Sequence, residues 1–321
     1  MTHASQPELF DRGPAAPVDL APDARQLGPL ARRLPASIRL GTSSWSFPGW
    51  AGRVYDRETS VGVLATHGLG AYARHPLLRC VGLDRGYYEP VPGPVLARYR
   101  DQTPRDFRFV VKADRRLVLP EGPGADPDVL LQAAWAVDRV VGPLVDGLGP
   151  RLGAVLFQFP PAPAAAFGGP RAFSERLYRF LRDLPKAVRY AVEIRTPALL
   201  TPDYAQALAH AKVGHGYVVH PEMSPLPDQL RVVPPSPGTI QVIRWMLQPG
   251  WSYATARDAW SPFRDLRRPD PDRRKAVAAA ARAVVRARGE ALVVINNKAE
   301  GSSPASVEAL ARLLVEPDAT V

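Results

Sequence analysis

Cysteine is almost absent from this 321-residue chain: Cys80 stands alone, which excludes an intramolecular disulfide and any cysteine-built metal cluster. A lone thiol accords with a reducing compartment. No apolar run approaches the ~18 residues that a membrane span requires. The opening "MTHASQPELFDRG" carries acids and a proline where a secretory leader has a basic start and an apolar stretch. The expectation is therefore a soluble, cytoplasmic protein without membrane contact. Histidine is sparse as well, and positions 3, 67, 75, 210, 215 and 220 show no HxH or HExxH spacing, so a histidine-rich metal site has no support. There is no P-loop, and the first turn, "GTSSWSFPGW", is neither GxGxxG nor a Gly-x-Ser-x-Gly elbow.

What is present is ordinary for a globular domain, with 46% hydrophobic and 22% charged residues. The formal charge is +10, and the basic residues are mostly arginine. Such a surplus suits an acidic ligand or nucleic acid. It equally suits arginines spread over solvated helix faces. No aromatic-basic interleaving of the kind that lines a single-strand groove stands out.

Residues 1–37 are rich in Pro, Ala and Arg and read as a flexible, removable arm, with one short helix near Leu27–Arg33. From Ile38 onward, apolar runs of strand length recur at 38–45, 78–84, 107–113, 153–159, 189–195, 214–220, 240–246 and 291–297. The sixth is the weakest, because two glycines disfavour a strand. Helical patterns are expected at about 60–74, 94–102, 127–147, 171–184, 202–211, 272–288 and 303–315, and "PEMSPLPDQLRVVPPSPG" reads as a loop. Eight strands alternating with about seven helices match an α/β fold, a (β/α)₈ TIM-barrel-like single domain over 38–315, with 316–321 as a tail. A doubly wound open sheet is the rival, but it normally has fewer strands and often a glycine-rich first turn.

The strand ends carry the chemistry. In "RYAVEIRTP" (189–197), Glu193 and Arg195 share a face with Ala191, while Val192 and Ile194 point the other way. Barrel active sites collect polar groups at the C-terminal ends of otherwise apolar strands. Asp84, Lys112, Gln158, Arg244, Asn296 and Asn297 end their runs in the same manner.

These pieces, "GTSSWSFPGWAGRVY", "VGLDRGYY", "FRFVVKA", "LFQFPP", "VEIR" and "INNKAEGSSP", taken in order, resemble the domain of unknown function 72 family, the YecE-like proteins. The resemblance covers about 38–315 and implies a TIM barrel, but no reaction. Gly82 and Asp84 stand where many members carry a Glu-x-Asn pair, Lys298 follows Asn296 and Asn297 where Asp is common, and "EIRTPALL" lacks a frequent Trp.

Glu193 is the candidate acid or base, with Lys112 and Arg195 as its catalytic companions and anion holders. The alternative for Glu193 and Arg195 is an ion pair that closes the mouth. Asp84, Gln158, Arg244, Asn296 and Asn297 are candidate substrate contacts, or rim ties. Trp45 and Tyr88 are candidate stacking surfaces, with Trp50 and Tyr87 beside them; core packing under a loop is the commoner fate. No cofactor is expected. Asp84, Glu193 and an Asn oxygen would suit Mg²⁺ or Mn²⁺, but Lys112 and Arg195 compete with the cation. The leading expectation is a metal-independent hydrolase or lyase acting on a small, anionic, carbohydrate-like or phosphorylated substrate. A nucleic-acid-binding or -processing barrel and a non-catalytic metabolite-binding barrel are the alternatives. An open, wet mouth is expected to tolerate Glu193→Gln, with loss of turnover but not of stability.

Overall fold

The computed structural model describes residues 17–316. Among them eight parallel strands close into a barrel in sequential order: β1 (Ile38–Thr42), β2 (Cys80–Leu83), β3 (Arg108–Lys112), β4 (Leu152–Phe159), β5 (Tyr190–Ile194), β6 (Gly214–Val219), β7 (Ile240–Trp245) and β8 (Glu290–Ile295). Each apolar run of the sequence supplies one strand. Closure comes from β1 against β8, from Ile38 opposite Ala291 to Thr42 opposite Ile295.

Alternation along the strands builds two layers. Cys80, Val110, Ala154, Leu156, Ala191, Ile240, Val242, Leu292 and Val294 fill the barrel interior. The intervening residues join the larger core between sheet and helices. Helix Pro170–Arg182 shows how that outer layer forms: Phe173, Leu177, Phe180 and Leu181 make one apolar stripe. The Phe180 ring meets Phe157 of β4 edge-on at 4.9 Å. Cys80 is sealed inside the barrel, and burial pushes its thiol up to about 12, so it is inert at neutral pH.

β6 forms because its glycines are where neighbours come closest. A Cβ at Gly214 would lie 1.7 Å from the Ile240 carbonyl oxygen, and one at Gly216 would lie 2.8 Å from the Glu193 Cβ. Gly216 therefore makes room for Glu193, and the glycines that weaken the strand on paper are what its position requires.

The structure differs from the sequence expectation in three places. The proline-rich stretch after β6 contains a helix, Leu226–Val232, with proline in its first turn, where a missing N–H costs nothing. Its Gln229 side chain bonds both backbone groups of Val218. The helix expected over 127–147 starts only at Ala133, because Leu131 takes a left-handed backbone, φ 57°. Finally, the later part of the expected arm is packed. Val18, Leu20, Ala21 and Ala24 are buried, Ala21 N–H donates to the Val54 carbonyl, and the short helix Gly28–Arg33 sends Arg33 to the Val315 carbonyl at 3.2 Å. Short apolar residues between prolines carry no periodicity, so their burial was not legible. Residues 1–16 of that arm, and 317–321 of the expected tail, lie outside the described residues.

Candidate active site at the barrel mouth

The positions two residues beyond the interior layer carry the polar groups, as strand parity requires. Lys112 follows Val110, Gln158 follows Leu156, Glu193 follows Ala191, Arg244 follows Val242 and Asn296 follows Val294. All lie at the C-terminal ends of their strands, on the inner face. Glu193 sits directly opposite Gln158 across β4 and β5.

Glu193 is fully buried and held from both sides. Arg195 Nε donates to its Oε1 at 2.9 Å and Arg244 Nη1 to its Oε2 at 3.0 Å. Arg244, itself buried, reaches on to Asp84 Oδ2 at 3.3 Å. Burial alone would raise the Glu193 carboxyl, but the Arg244 and Arg195 charges and hydrogen bonds override it and hold the carboxyl at about 2. This geometry disfavours the acid/base role expected of Glu193 from the sequence. A carboxylate that weakly basic, with both oxygens engaged, is a poor proton carrier at neutral pH. Its carboxylate bridges two guanidiniums. The open, wet mouth expected around it is corrected, because Glu193 has no exposed surface.

Lys112 has the properties Glu193 lacks. Its Nζ lies 3.4 Å from the centroid of the Tyr87 ring, a close cation–π contact. Burial lowers its amine to about 8; Asp84 and Glu193 pull it up, while Arg244 and Arg195 push it down. An amine near 8 exchanges protons readily at physiological pH.

The remaining candidates divide. Asn296 ties the rim: its Oδ1 accepts from Lys298 N–H, and its Nδ2 donates to Ser43 Oγ at 2.9 Å. Tyr88 is exposed and packs edge-on against Tyr87. Asn297 points outward, one residue out of register, and its Oδ1 accepts from Ser303 N–H and Oγ at the start of helix Ser303–Val315. Trp45 is buried in the outer core, with Nε1 bonded to the Leu64 carbonyl and its ring against Tyr99. Trp50 is buried too. Asn297 and Trp45 are therefore structural, and neither belongs to the mouth.

Three groups went unrecognised in the sequence. His220, just past β6, accepts from Glu222 N–H through Nδ1, which leaves the proton of the neutral ring on Nε2. That Nε2 is buried without a partner, and burial and the Arg195 charge lower the imidazole to about 4. Tyr253 lies 6.1 Å from the His220 ring. Lys298 Nζ sits 5.7 Å from the Tyr253 centroid. His220 also lines a cavity of about 610 Å³ with Pro221, Met223, Ser224, Pro249 and Arg273. A histidine ending a strand signalled this position, but metal spacing was the pattern sought.

Asp84 and Glu193 are both committed to Arg244. Among the described residues, no three His, Cys, Asp or Glu side chains gather as a metal site. No helix there is long and apolar enough to cross a membrane.

Known proteins share this architecture. The DUF72 family protein TM1631 from Thermotoga maritima MSB8 superposes with a TM-score of 0.59 at 21% identity, over 87% of this chain and 99% of that one. The DUF72 family protein EF0366 from Enterococcus faecalis V583 does so with a TM-score of 0.56 at 17% identity, over 87% and 98%. The UPF0759 protein YecE of Escherichia coli K12 is 29% identical over 160 residues, which are 50% of this chain and 49% of that protein. The chain thus spans about half the length of the curated relatives it matches. The family model described as "Protein of unknown function DUF72" matches residues 39–321, and the chain belongs to that family.

Proposed function

We propose that the mouth binds a small, oxygen-rich anion, carbohydrate-like or phosphorylated, and acts on it by acid/base chemistry of the hydrolase or lyase type. Lys112 carries the proton, Arg195 and Arg244 hold the anion, and Glu193 positions both arginines. The observation that supports this most is the charge balance. Lys112, Arg195 and Arg244 face only Asp84 and Glu193, and the Lys112 amine has no carboxylate at salt-bridge distance among the described residues. His220 Nε2–H adds an unspent donor for a ligand oxygen, and Tyr253 adds a partly exposed ring. A reducing cytoplasm remains the proposed setting.

The nucleic-acid alternative rests on the charge surplus, but several of the exposed arginines are already engaged by neighbouring carboxylates. Arg171 and Arg179 meet Glu175, Arg182 meets Asp183, Arg257 meets Asp258 and Arg312 meets Glu308.

A thermal-shift screen of sugar phosphates, organic acids and nucleotides tests the reading. A compound that raises the parent's melting temperature by several degrees should lose at least ~10-fold in affinity with Arg195→Gln, given the ~1.5–3 kcal/mol value of a charged hydrogen bond. Equal affinity in the variant would place the ligand elsewhere.

A further inference from the structure

Strand parity also runs downward. Two residues below the interior layer, Arg108 precedes Val110, Arg189 precedes Ala191 and Glu290 precedes Leu292. Arg39 lies between the outward-facing Ile38 and Leu40 of β1. We propose that these three arginines form an anion site at the floor of the barrel, suited to a doubly charged tetrahedral oxyanion such as a phosphate group.

Glu290 is shared: Arg39 Nη1 binds its Oε2 and Arg189 Nη1 its Oε1, each at 2.9 Å. Those partners come from β1, the residue just before β5, and β8, so the cluster spans the barrel's lower opening. Asp106, the other carboxylate near the cluster among the described residues, is taken by Arg79. Three guanidiniums against one carboxylate leave an excess of about two positive charges, which repel at short range. Arg108 bears the excess. Its Nη1 donates only to the Arg105 and Phe107 carbonyls, and its Nε is buried without a partner. Its guanidinium pKa is lowered by burial first, then by the Arg39 and Arg189 charges. The side chain packs over Gly153, where a Cβ would lie 2.9 Å from Arg108 Cβ. The cluster is reachable from outside, with the Arg189 and Glu290 side chains 36% and 39% exposed. A tetrahedral dianion matches both the forked donors and the surplus charge. Four residues separate Arg189 from Glu193 along β5, or ~13 Å at the usual strand rise, so floor and mouth are distinct sites.

The test is melting of the full chain in inorganic phosphate against chloride of matched ionic strength, in the parent and in an Arg195→Gln background that removes one of the mouth's anion holders. Phosphate should raise the melting temperature saturably in both, by about 5 °C at a hundredfold excess over its dissociation constant. Arg108→Met should abolish the rise and, in chloride, melt no lower than the parent, because it removes an uncompensated charge. Glycerol phosphate in place of phosphate distinguishes a site for a phosphoryl group on a larger molecule from one for the free ion; a rise lost with Arg108→Met supports the site in either case. No rise beyond chloride, an equal rise in Arg108→Met, or an Arg108→Met protein that melts well below the parent or fails to fold would overturn the proposal. The last result would show Arg108 to be a strut. The comparison with Arg108→Met is read in the Arg195→Gln background, where the mouth's hold on an anion is weakened, so that it reports the floor rather than the mouth.

Discussion

Glu193→Gln is expected to destabilise the protein by ~3–5 kcal/mol, the usual cost of removing one partner from a buried ion pair. Glutamine fills the same space and can still accept a hydrogen bond, so the loss is one of charge. Arg195 and Arg244 would be left facing a neutral amide, with Arg244 buried and only the more distant Asp84 to compensate it. The urea midpoint should fall sharply while its slope stays the same. Replacing all three members, Glu193→Leu with Arg195→Met and Arg244→Met, should recover much of the loss, because a neutral apolar set of similar volume avoids desolvating any of the charges. A Glu193→Gln change below ~1 kcal/mol would mean that the brace contributes little and that the arginines are held by other contacts.

Acid should act on this protein earlier than on most. His75 and His215 are buried, and burial lowers each imidazole from 6.5 to about 4. Arg53 adds to the effect at His75, while Glu193 opposes it at His215. Both rings are neutral in the folded state and charge readily once unfolded, so between pH 6.5 and about 4 the unfolded chain binds more protons. Stability is therefore complete above pH 6.5 and declines as pH falls toward 4, by on the order of 3 kcal/mol per histidine. Glu193 extends the decline: its contribution is intact above 4.5 and is lost as pH falls through about 2. Urea midpoints measured from pH 8 to 4 should drop steadily below 6.5. A flat profile down to pH 5 would show that these rings do not stay neutral in the fold.

The sequence made the barrel legible because each strand is an apolar run that ends on a polar residue at the right parity. The pairing of Glu193 with Arg195 on one face followed from that period of two, as did the inward direction of Lys112 and Arg244. The same period, applied past the strand end, misled. β1 stops at Thr42 and β8 at Ile295, so Trp45 and Asn297 take their directions from loop and helix-start geometry rather than from the pleat. Burial at the strand ends was not legible at all. Whether Glu193 meets water or two arginines depends on Arg244, 51 residues away, and on the space left by Gly216. The same dependence separates Glu193 from Lys112: both groups are shifted down, Glu193 by the two arginines that override its burial and Lys112 by burial itself. The helix Leu226–Val232 was hidden because proline was read as a breaker when it occupied a first turn.

Lys112 is proposed to be a lowered, anion-responsive amine at the mouth. The chain has five lysines, so reductive methylation with ¹³C gives a spectrum simple enough to assign, with Lys112→Arg identifying the Lys112 signal. The floor cluster contains no lysine, so that signal reads the mouth alone. The account expects the Lys112 resonance to titrate near pH 8, as burial dictates, and to move to higher pH when an anionic ligand from the screen is added. A Lys112 resonance that titrates near the ordinary ~10.4 of an exposed lysine, or one unmoved by every anion that binds the protein, would contradict it.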